Sequence, residues 1–335
     1  MKRAKLRAGT VGVGRLGREH ARVLAGLPDV QLAGVYDIQP DRGKAVALPL
    51  GAGQAESLEA LIAACDLVTV ASPTSTHYEI ASRVLSAGKV CFVEKPICVQ
   101  PADAARLVRL AAEKNLPLGV GQIERYNPAV RALMEQPVKP RFIEAHRLAG
   151  FTPRGTDVAV VYDLMIHDID LVLYLVGQEP SHIHAAGASV ISADLDICNA
   201  RMEFPQGAVA NLTASRISTF SMRKFRIFAE RAYIALDLKE KSLEHYRLFD
   251  SAQQMTEAGV HGLGMPFGDR GQVLSLERRE GDSEEMLKLE LHDFVRAVQR
   301  GLEPPVDGRA GARALAVAEQ VHRQAHDLLQ RAHLA

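Results

Sequence analysis

The sequence carries no excess charge of either sign, since 40 Lys and Arg face 40 Asp and Glu. Without a global positive field, nucleic acid and anionic membrane surfaces are not expected partners, and a small neutral or anionic ligand has to be bound locally. Cysteine is scarce. Cys65, Cys91, Cys98 and Cys198 lack metal-finger spacing, and four cysteines in 335 residues make no disulfide framework. They read as plain thiols of the interior. No long apolar run is free of charge either. The richest, Val158–Val176, is interrupted by Asp163, His167, Asp168 and Asp170, each costly at a bilayer centre, so no membrane span is expected. The stretch Met1–Gly9 is basic but has no continuous apolar core, so it does not read as a secretory signal, and the expected location is cytoplasmic. Glycine and proline, 26 and 16 residues, stay at ordinary levels while 47% of the chain is hydrophobic, which excludes a low-complexity or disordered polymer. The length suits about two domains.

What is present changes character midway. Short apolar runs at Leu6–Gly12, Val30–Tyr36, Leu67–Ala71, Val90–Val93 and Leu118–Gly121 alternate with segments of helical period, one beginning at Arg15 and others near Ser57–Ala64, His77–Ala87 and Pro101–Lys114. Buried strands separated by helices imply a parallel, doubly wound α/β sheet, here spanning residues 1–122. From residue 123 to 335 the pattern is a helix near Val158–Val176 and then strand after strand: His182–Ser189, Ile197–Phe204, Ala208–Ser215, Phe225–Phe228 and Tyr233–Leu236. Tight turns at Phe204–Gly207 and Ala229–Arg231 predict hairpins, hence a large, mostly antiparallel sheet in a second α/β domain. Helices near Ser283–Arg300 and Arg309–Ala332 close the chain, and they are candidates to pack back on the first domain. Ala252–Gly271, with five glycines, reads as a mobile loop.

Gly12-Val-Gly-Arg-Leu-Gly17 places three glycines after the first strand and at the start of the first helix. Three glycines also make an ordinary turn, so the motif alone is weak. In a dinucleotide site, Gly12 allows the tight turn, Gly14 lets a pyrophosphate approach the backbone and Gly17 lets helix pack on strand. The backbone at Arg15 and Leu16 then offers N–H groups to the phosphates. Asp37, 20 residues beyond Gly17, ends the second strand, where a carboxylate takes the adenosine ribose hydroxyls and repels a 2′-phosphate. NAD is therefore expected over NADP, with Arg42 as a softening influence. Ser72, Thr74 and His77, in the loop after the fourth strand, and Gln122, after the last, should border the same cleft, although Thr74 also suits a helix cap.

Two further patterns carry chemistry. Glu94-Lys95-Pro96 leaves the strand Val90–Val93 at the cofactor edge, with Glu94 free to pair with a ribose or an amine and Pro96 stiffening the turn. Asp163 and His167 lie one helical turn apart, so the carboxylate can orient or stabilise an imidazole that accepts a proton as hydride leaves an alcohol. The same pair also fits a satisfied helix histidine. Asp168 and Asp170 fall on other faces, and no cysteine or second histidine completes a ligand set, so no metal is expected.

Gly12–Gly17 with Asp37, Ala87-Gly-Lys-Val-Cys-Phe-Val-Glu-Lys-Pro96, Asp163–His167 and the ending Phe294–Gly308 together resemble the Gfo/Idh/MocA family of NAD(P)-dependent sugar oxidoreductases. The resemblance implies a Rossmann domain, a second domain whose open sheet forms subunit contacts in a homodimer or homotetramer, and Lys95, Asp163 and His167 as the catalytic and substrate-contacting group. Many members have a glycine-rich run where this chain has Val158-Ala-Val-Val-Tyr162, which weakens the case for free sugars and inositol. Gly121–Pro128, Arg154–Val158 and Asp163–Asp170 look most like the branch that oxidises the 3-hydroxyl of UDP-N-acetylglucosamine with NAD. That product is one a pyridoxal-phosphate aminotransferase can convert to the 3-amino sugar of a variant lipid A. On this resemblance Arg125, Tyr126, Asn127 and Arg154 are expected at the sugar or diphosphate, with Arg216 and Arg223 as weaker candidates. The alternatives are a dehydrogenase of inositol or another free sugar, a non-catalytic NAD-sensing regulator, and a metal-dependent hydrolase.

Overall fold

The computed structural model describes residues 5–136, 138–151, 158–260, 264–281 and 284–334. The chain forms two compact units: Met1–Ile123 with Glu284–Ala316, and Glu124–Ser283 with Val317–Ala335.

The first unit is built on six parallel strands, β1 (Leu6–Val11), β2 (Val30–Tyr36), β3 (Gly53–Gln54), β4 (Leu67–Val70), β5 (Val90–Glu94) and β6 (Leu118–Gly121), in the order β3-β2-β1-β4-β5-β6. That is the doubly wound order, and its topological switch point lies between β1 and β4, outside the strand carboxyl ends. Helices α1 (Arg15–Gly26), α2 (Pro40–Ala47), α3 (Leu58–Ala64), α4 (His77–Ser86) and α5 (Pro101–Glu113) make the crossovers. β4 is buried at every position, as a central parallel strand must be. The apolar face of α1, Val23, Leu24 and Leu27, shares a core with Phe92 and with Leu287, Leu291, Phe294 and Val295. The last four come from the later helix Met286–Arg300, so that helix belongs to this unit. The Phe92 and Phe294 rings meet edge to face, 5.1 Å between centroids.

The second unit holds nine strands: β7 (Phe142–Leu148), β8 (His182–Ala188), β9 (Ile197–Glu203), β10 (Val209–Ser215), β11 (Met222–Ala229), β12 (Ala232–Asp237), β13 (Ser242–Phe249), β14 (Gly264–Phe267) and β15 (Gln272–Glu280). Their order is β14-β15-β13-β12-β11-β7-β10-β9-β8. Every neighbouring pair is antiparallel except β7 with β10. Helices α6 (Pro128–Met134) and α7 (Ile166–Val176) lie against it, α6 over β13 and β15, α7 over β7 and β10. The remaining helices are α8 (Ala252–Glu257), α9 (Met286–Arg300) and α10 (Gly308–Leu334). Both expected hairpins form. Gly207 has φ +83° and donates its N–H to Phe204 O at 2.8 Å, and Arg231 turns the second at φ +55°.

One sheet face buries Ile143, Ala145, Phe225, Ile227, Ile234 and Leu236. On the other, Phe142, Phe228, Tyr233 and Tyr246 form a partly exposed row across four strands, with centroid spacings of 5.8, 5.0 and 5.7 Å. Ion pairs flank that row, Arg226 to Glu144 at 3.3 Å and Arg278 to Glu244 at 3.0 Å. No helix among the described residues is long and apolar enough to cross a membrane.

Three expectations change. Ala252–Gly271 is not a bare loop: it contains α8, capped by the Ser251 hydroxyl on the Gln254 N–H, and β14. Strands β7, β13 and β15 were not legible because ionic residues interrupt their apolar period, and these pair across strands, as Arg226 does with Glu144, Arg278 with Glu244 and Arg247 with Glu277. The helix expected from Val158 instead begins as a π-helical turn, Val161–Met165, that passes into α7.

Candidate functional site

In the first unit the strand carboxyl ends collect the nucleotide-binding features. A Cβ on Gly12, at φ +77°, would lie 2.6 Å from Ser72 Cα, and one on Gly17 would lie 1.8 Å from the Gly12 carbonyl oxygen. The fold itself therefore demands those two glycines. Gly14 is different, because nothing stands within 4 Å of the position a Cβ would take. That open space is what a pyrophosphate against the backbone requires. α1 starts at Arg15 without a side-chain cap, leaving its first N–H groups and dipole available to an anion.

Asp37 is welded to this loop. Its Oδ2 accepts from the Val13 N–H at 2.9 Å and its Oδ1 from the Gln39 N–H at 2.9 Å, so the carboxylate is oriented before any ribose arrives. Arg42 Nη1 lies 3.6 Å from the same carboxylate, while its Nη2 donates to Gln39 Oε1. Ser72 and Thr74 are partly exposed beside the loop, and the Ser72 and Thr76 hydroxyls are 2.7 Å apart.

His77, expected at the cofactor cleft, is enclosed by backbone. Its ring is 1% exposed, with Nδ1 2.8 Å from Pro96 O and Nε2 2.9 Å from Ser72 O, so both nitrogens face backbone and none is left for a cofactor. Burial pushes its pKa down, against the upward pull of the two carbonyls and Glu94. Glu94 also turns inward. Its Oε1 is 2.8 Å from His20 Nε2, and its Oε2 accepts from the Lys95 N–H at 3.2 Å. Glu94 thus braces the backbone of the lysine. Lys95 remains partly exposed at the edge of the sheet and joins Pro96 through a cis peptide bond. The pairing of Glu94 with Gly121 brings Gln122 alongside Lys95 at the strand ends. Gln122 is 1% exposed, and among the described residues its Oε1 has no hydrogen-bond partner. A buried amide oxygen left over at this edge suits an amide-bearing ligand such as nicotinamide.

In the second unit Asp163 lies in the π-helical turn and His167 in the first turn of α7, both partly exposed. Such turns recur at functional sites, because the wider i→i+5 ring re-aims side chains. The start of this segment is pinned by residues distant in sequence, among them Arg216, a weaker candidate for the sugar or diphosphate. Val160 donates its N–H to Leu195 O at 3.0 Å, Arg216 donates to the Val158 carbonyl, and the Tyr162 hydroxyl donates to Glu319 at 2.5 Å. Asp196, beneath them, accepts the N–H groups of Val190, Ile191 and Ser192. Those bonds hold its pKa well below the usual carboxylate range, although burial alone would raise it.

Beneath α7 lies a buried charge network. Arg147 grips Asp168 and reaches Glu124 at 2.7 Å, and Arg125 grips Asp170 at 2.7 and 2.6 Å while lying 4.3 Å over the Tyr174 ring. Asn127 donates to Glu124 and to Leu238 O, and accepts from the Ala129 N–H as the cap of α6. In this arrangement Arg125, Tyr126 and Asn127, expected at the sugar or diphosphate, are engaged within the protein. Tyr126 and Asn127 are buried, and the Arg125 guanidinium is committed to Asp170. Their polarity ties one element to another. Arg223 leans on Glu124 at 3.5 Å, and Arg154 lies outside the described residues.

Residues 6–122 match the model of an oxidoreductase family's NAD-binding Rossmann fold, and residues 152–327 match that of its C-terminal alpha/beta domain. UDP-N-acetylglucosamine 3-dehydrogenase of Acidithiobacillus ferrooxidans is 37% identical over 327 residues, 97% of this chain and 99% of that protein. The solved structure of that enzyme superposes with a TM-score of 0.85 at 35% identity, covering 96% of this chain and 98% of the other. An inositol 2-dehydrogenase of Rhizobium meliloti is 25% identical over 95% of this chain and 96% of its own length. A levoglucosan dehydrogenase solved with NADH and levoglucosan shares the fold, with a TM-score of 0.82 at 18% identity, over 96% of this chain and 98% of that one.

Proposed function

The chain belongs to the Gfo/Idh/MocA family of NAD-binding oxidoreductases, and from that premise we propose that it oxidises the 3-hydroxyl of UDP-N-acetylglucosamine to the 3-keto nucleotide sugar. The observation that carries this reading is identity of 37% along essentially the full length of both chains with an enzyme named for that reaction. The inositol dehydrogenase is more distant, at 25%.

NAD, when bound, supplies the hydride acceptor. Gly12, Gly14 and Gly17, with the N–H groups at Arg15 and Leu16, would hold its pyrophosphate, Asp37 would take the adenosine ribose, and Ser72 and Thr74 would border it. Gln122, with its unpartnered amide oxygen, would be the group to pair with the carboxamide. Lys95 donates a hydrogen bond to the reacting hydroxyl and keeps its oxygen in place. His167 would take the hydroxyl proton, a role worth about 10²–10⁴-fold as general-base catalysis. Asp163 stabilises the imidazolium that results. Arg154 is the remaining candidate for the diphosphate, since guanidinium pairs with phosphate oxygens in two parallel bonds.

Two partners follow from the same reading. The partly exposed aromatic row on the nine-stranded sheet suits a second copy of the chain, in a homodimer or homotetramer. A 3-keto sugar is the natural substrate of a pyridoxal-phosphate aminotransferase. The test is absorbance at 340 nm with NAD and UDP-N-acetylglucosamine, UDP-glucose, free N-acetylglucosamine or inositol, with glutamate and such an aminotransferase removing product. NADH formed only with UDP-N-acetylglucosamine supports the proposal. NADH formed with inositol or a free sugar and with no UDP-sugar overturns it.

A further inference from the structure

His77 opens α4, and its ring is enclosed between two loops at the cofactor edge of the first unit. Neither carbonyl it faces can donate, so any hydrogen bond there comes from a ring N–H. A neutral imidazole has one such group and serves the Pro96 or the Ser72 carbonyl, whereas the imidazolium serves both. With the proton on Nδ1, a single bond to Pro96 O ties the start of α4, where the ring is rooted, to the turn that follows Lys95.

The two ends of this link are not equally secured. On the Ser72 side, the backbone is packed so closely against Gly12 that a Cβ there would not fit, and the Ser72 hydroxyl lies 2.7 Å from that of Thr76, whose own hydroxyl donates to Pro73 O. The turn on the Lys95 side begins from Glu94, which His20 holds from α1. Pro96 has no N–H with which to join a ladder, so its carbonyl is its backbone's hydrogen-bonding handle, and His77 is the side chain that engages it.

We propose that His77 is a positioning residue for Lys95: rooted at the start of α4, its ring engages the Pro96 carbonyl and so holds the turn that presents the lysine at the reacting hydroxyl. The inference rests on the reading of Lys95 given above. It assigns His77 to the lysine's geometry and not to cofactor contact.

A double-mutant cycle separates the two claims. His77→Phe keeps ring volume without donors, Lys95→Met removes the amine, and each is measured alone and together for kcat and KM by single-turnover and steady-state NADH formation. NAD affinity is measured by calorimetry. His77→Phe is expected to lower kcat roughly 10- to 100-fold, the loss typical of a misplaced reacting group, with NAD affinity little changed. In the Lys95→Met background the same change should have no further effect. His77→Gln, which retains an N–H donor, should recover part of the rate and carries the cycle if the phenylalanine variant does not fold. Wild-type kcat in both His77 variants, or the same loss with and without Lys95, overturns the inference alone. Wild-type kcat in Lys95→Met overturns the reading of Lys95 and this inference with it.

Discussion

Arg147 on β7 holds Asp168 on α7 through two parallel bonds, Nε to Oδ2 at 2.9 Å and Nη2 to Oδ1 at 2.8 Å, with both side chains buried. The pair lies one residue beyond His167, so the helix that carries the proposed base is bolted to the sheet beneath it. Burial disfavours the charge on Arg147, but Asp168 and Glu124 together push its pKa up, and it stays protonated.

Removing that guanidinium leaves the buried Asp168 without its paired charge and Glu124 with only the more exposed Arg223 at 3.5 Å. Arg147→Met should therefore cost about 3–5 kcal/mol of stability, the range for breaking a buried ion pair from one side. Equilibrium unfolding in urea reads this directly. A loss below about 1 kcal/mol, the level of an exposed pair, would mean that the network relaxes.

His167→Ala should lower kcat by roughly 10²–10⁴-fold while leaving NAD affinity unchanged, because the substituted group acts on the hydroxyl proton. The chain has no tryptophan, so NADH fluorescence can report binding without protein background from that residue. Unchanged turnover removes His167 from the mechanism.

The glycines of the loop should separate under substitution. Gly17→Ala sets a methyl group 1.8 Å from the Gly12 carbonyl oxygen and should destabilise or unfold the first unit. Gly14→Ala meets open space at φ −63°, so it should melt like the wild type and yet bind NAD more weakly. Thermal melting with and without NAD decides this, and a destabilised Gly14→Ala protein would contradict the assignment.

Stability should fall on the acid side of neutrality. His245 is held at about 4, first by burial and then by Arg247 and Arg279, with Glu277 opposing. His77 is likewise held below its ordinary value. The unfolded chain, with histidines near about 6.5, binds more protons than the folded one in this window. The contribution is fully present above about 6.5 and is lost as pH falls toward 4. Urea midpoints at pH 7.5 and pH 5 should show the loss, and His245→Gln should reduce it. An equal drop in wild type and variant rules out His245 as its source.

The glycine loop, Asp37, Glu94-Lys95-Pro96 and the Asp163–His167 spacing are legible in the sequence because each depends on contiguous residues: a turn after a strand, a strand end, a step of one helical turn. The alternation of strands and helices through residue 121 is legible for the same reason, since central parallel strands are apolar at nearly every position and flag themselves. Tertiary structure decided what those residues share their surroundings with. Arg125 and Asn127 resemble ligand contacts until Asp170, 45 residues away, and the Leu238 carbonyl, 111 away, are seen to hold them. His77 and Glu94 look equally free until Pro96 O and His20 appear against them. Strands such as β7 hide because their charges are neutralised by partners on other strands, as Glu144 is by Arg226. A local pattern reveals which chemical groups the chain offers, whereas burial and long-range pairing decide which of them remain available to a ligand.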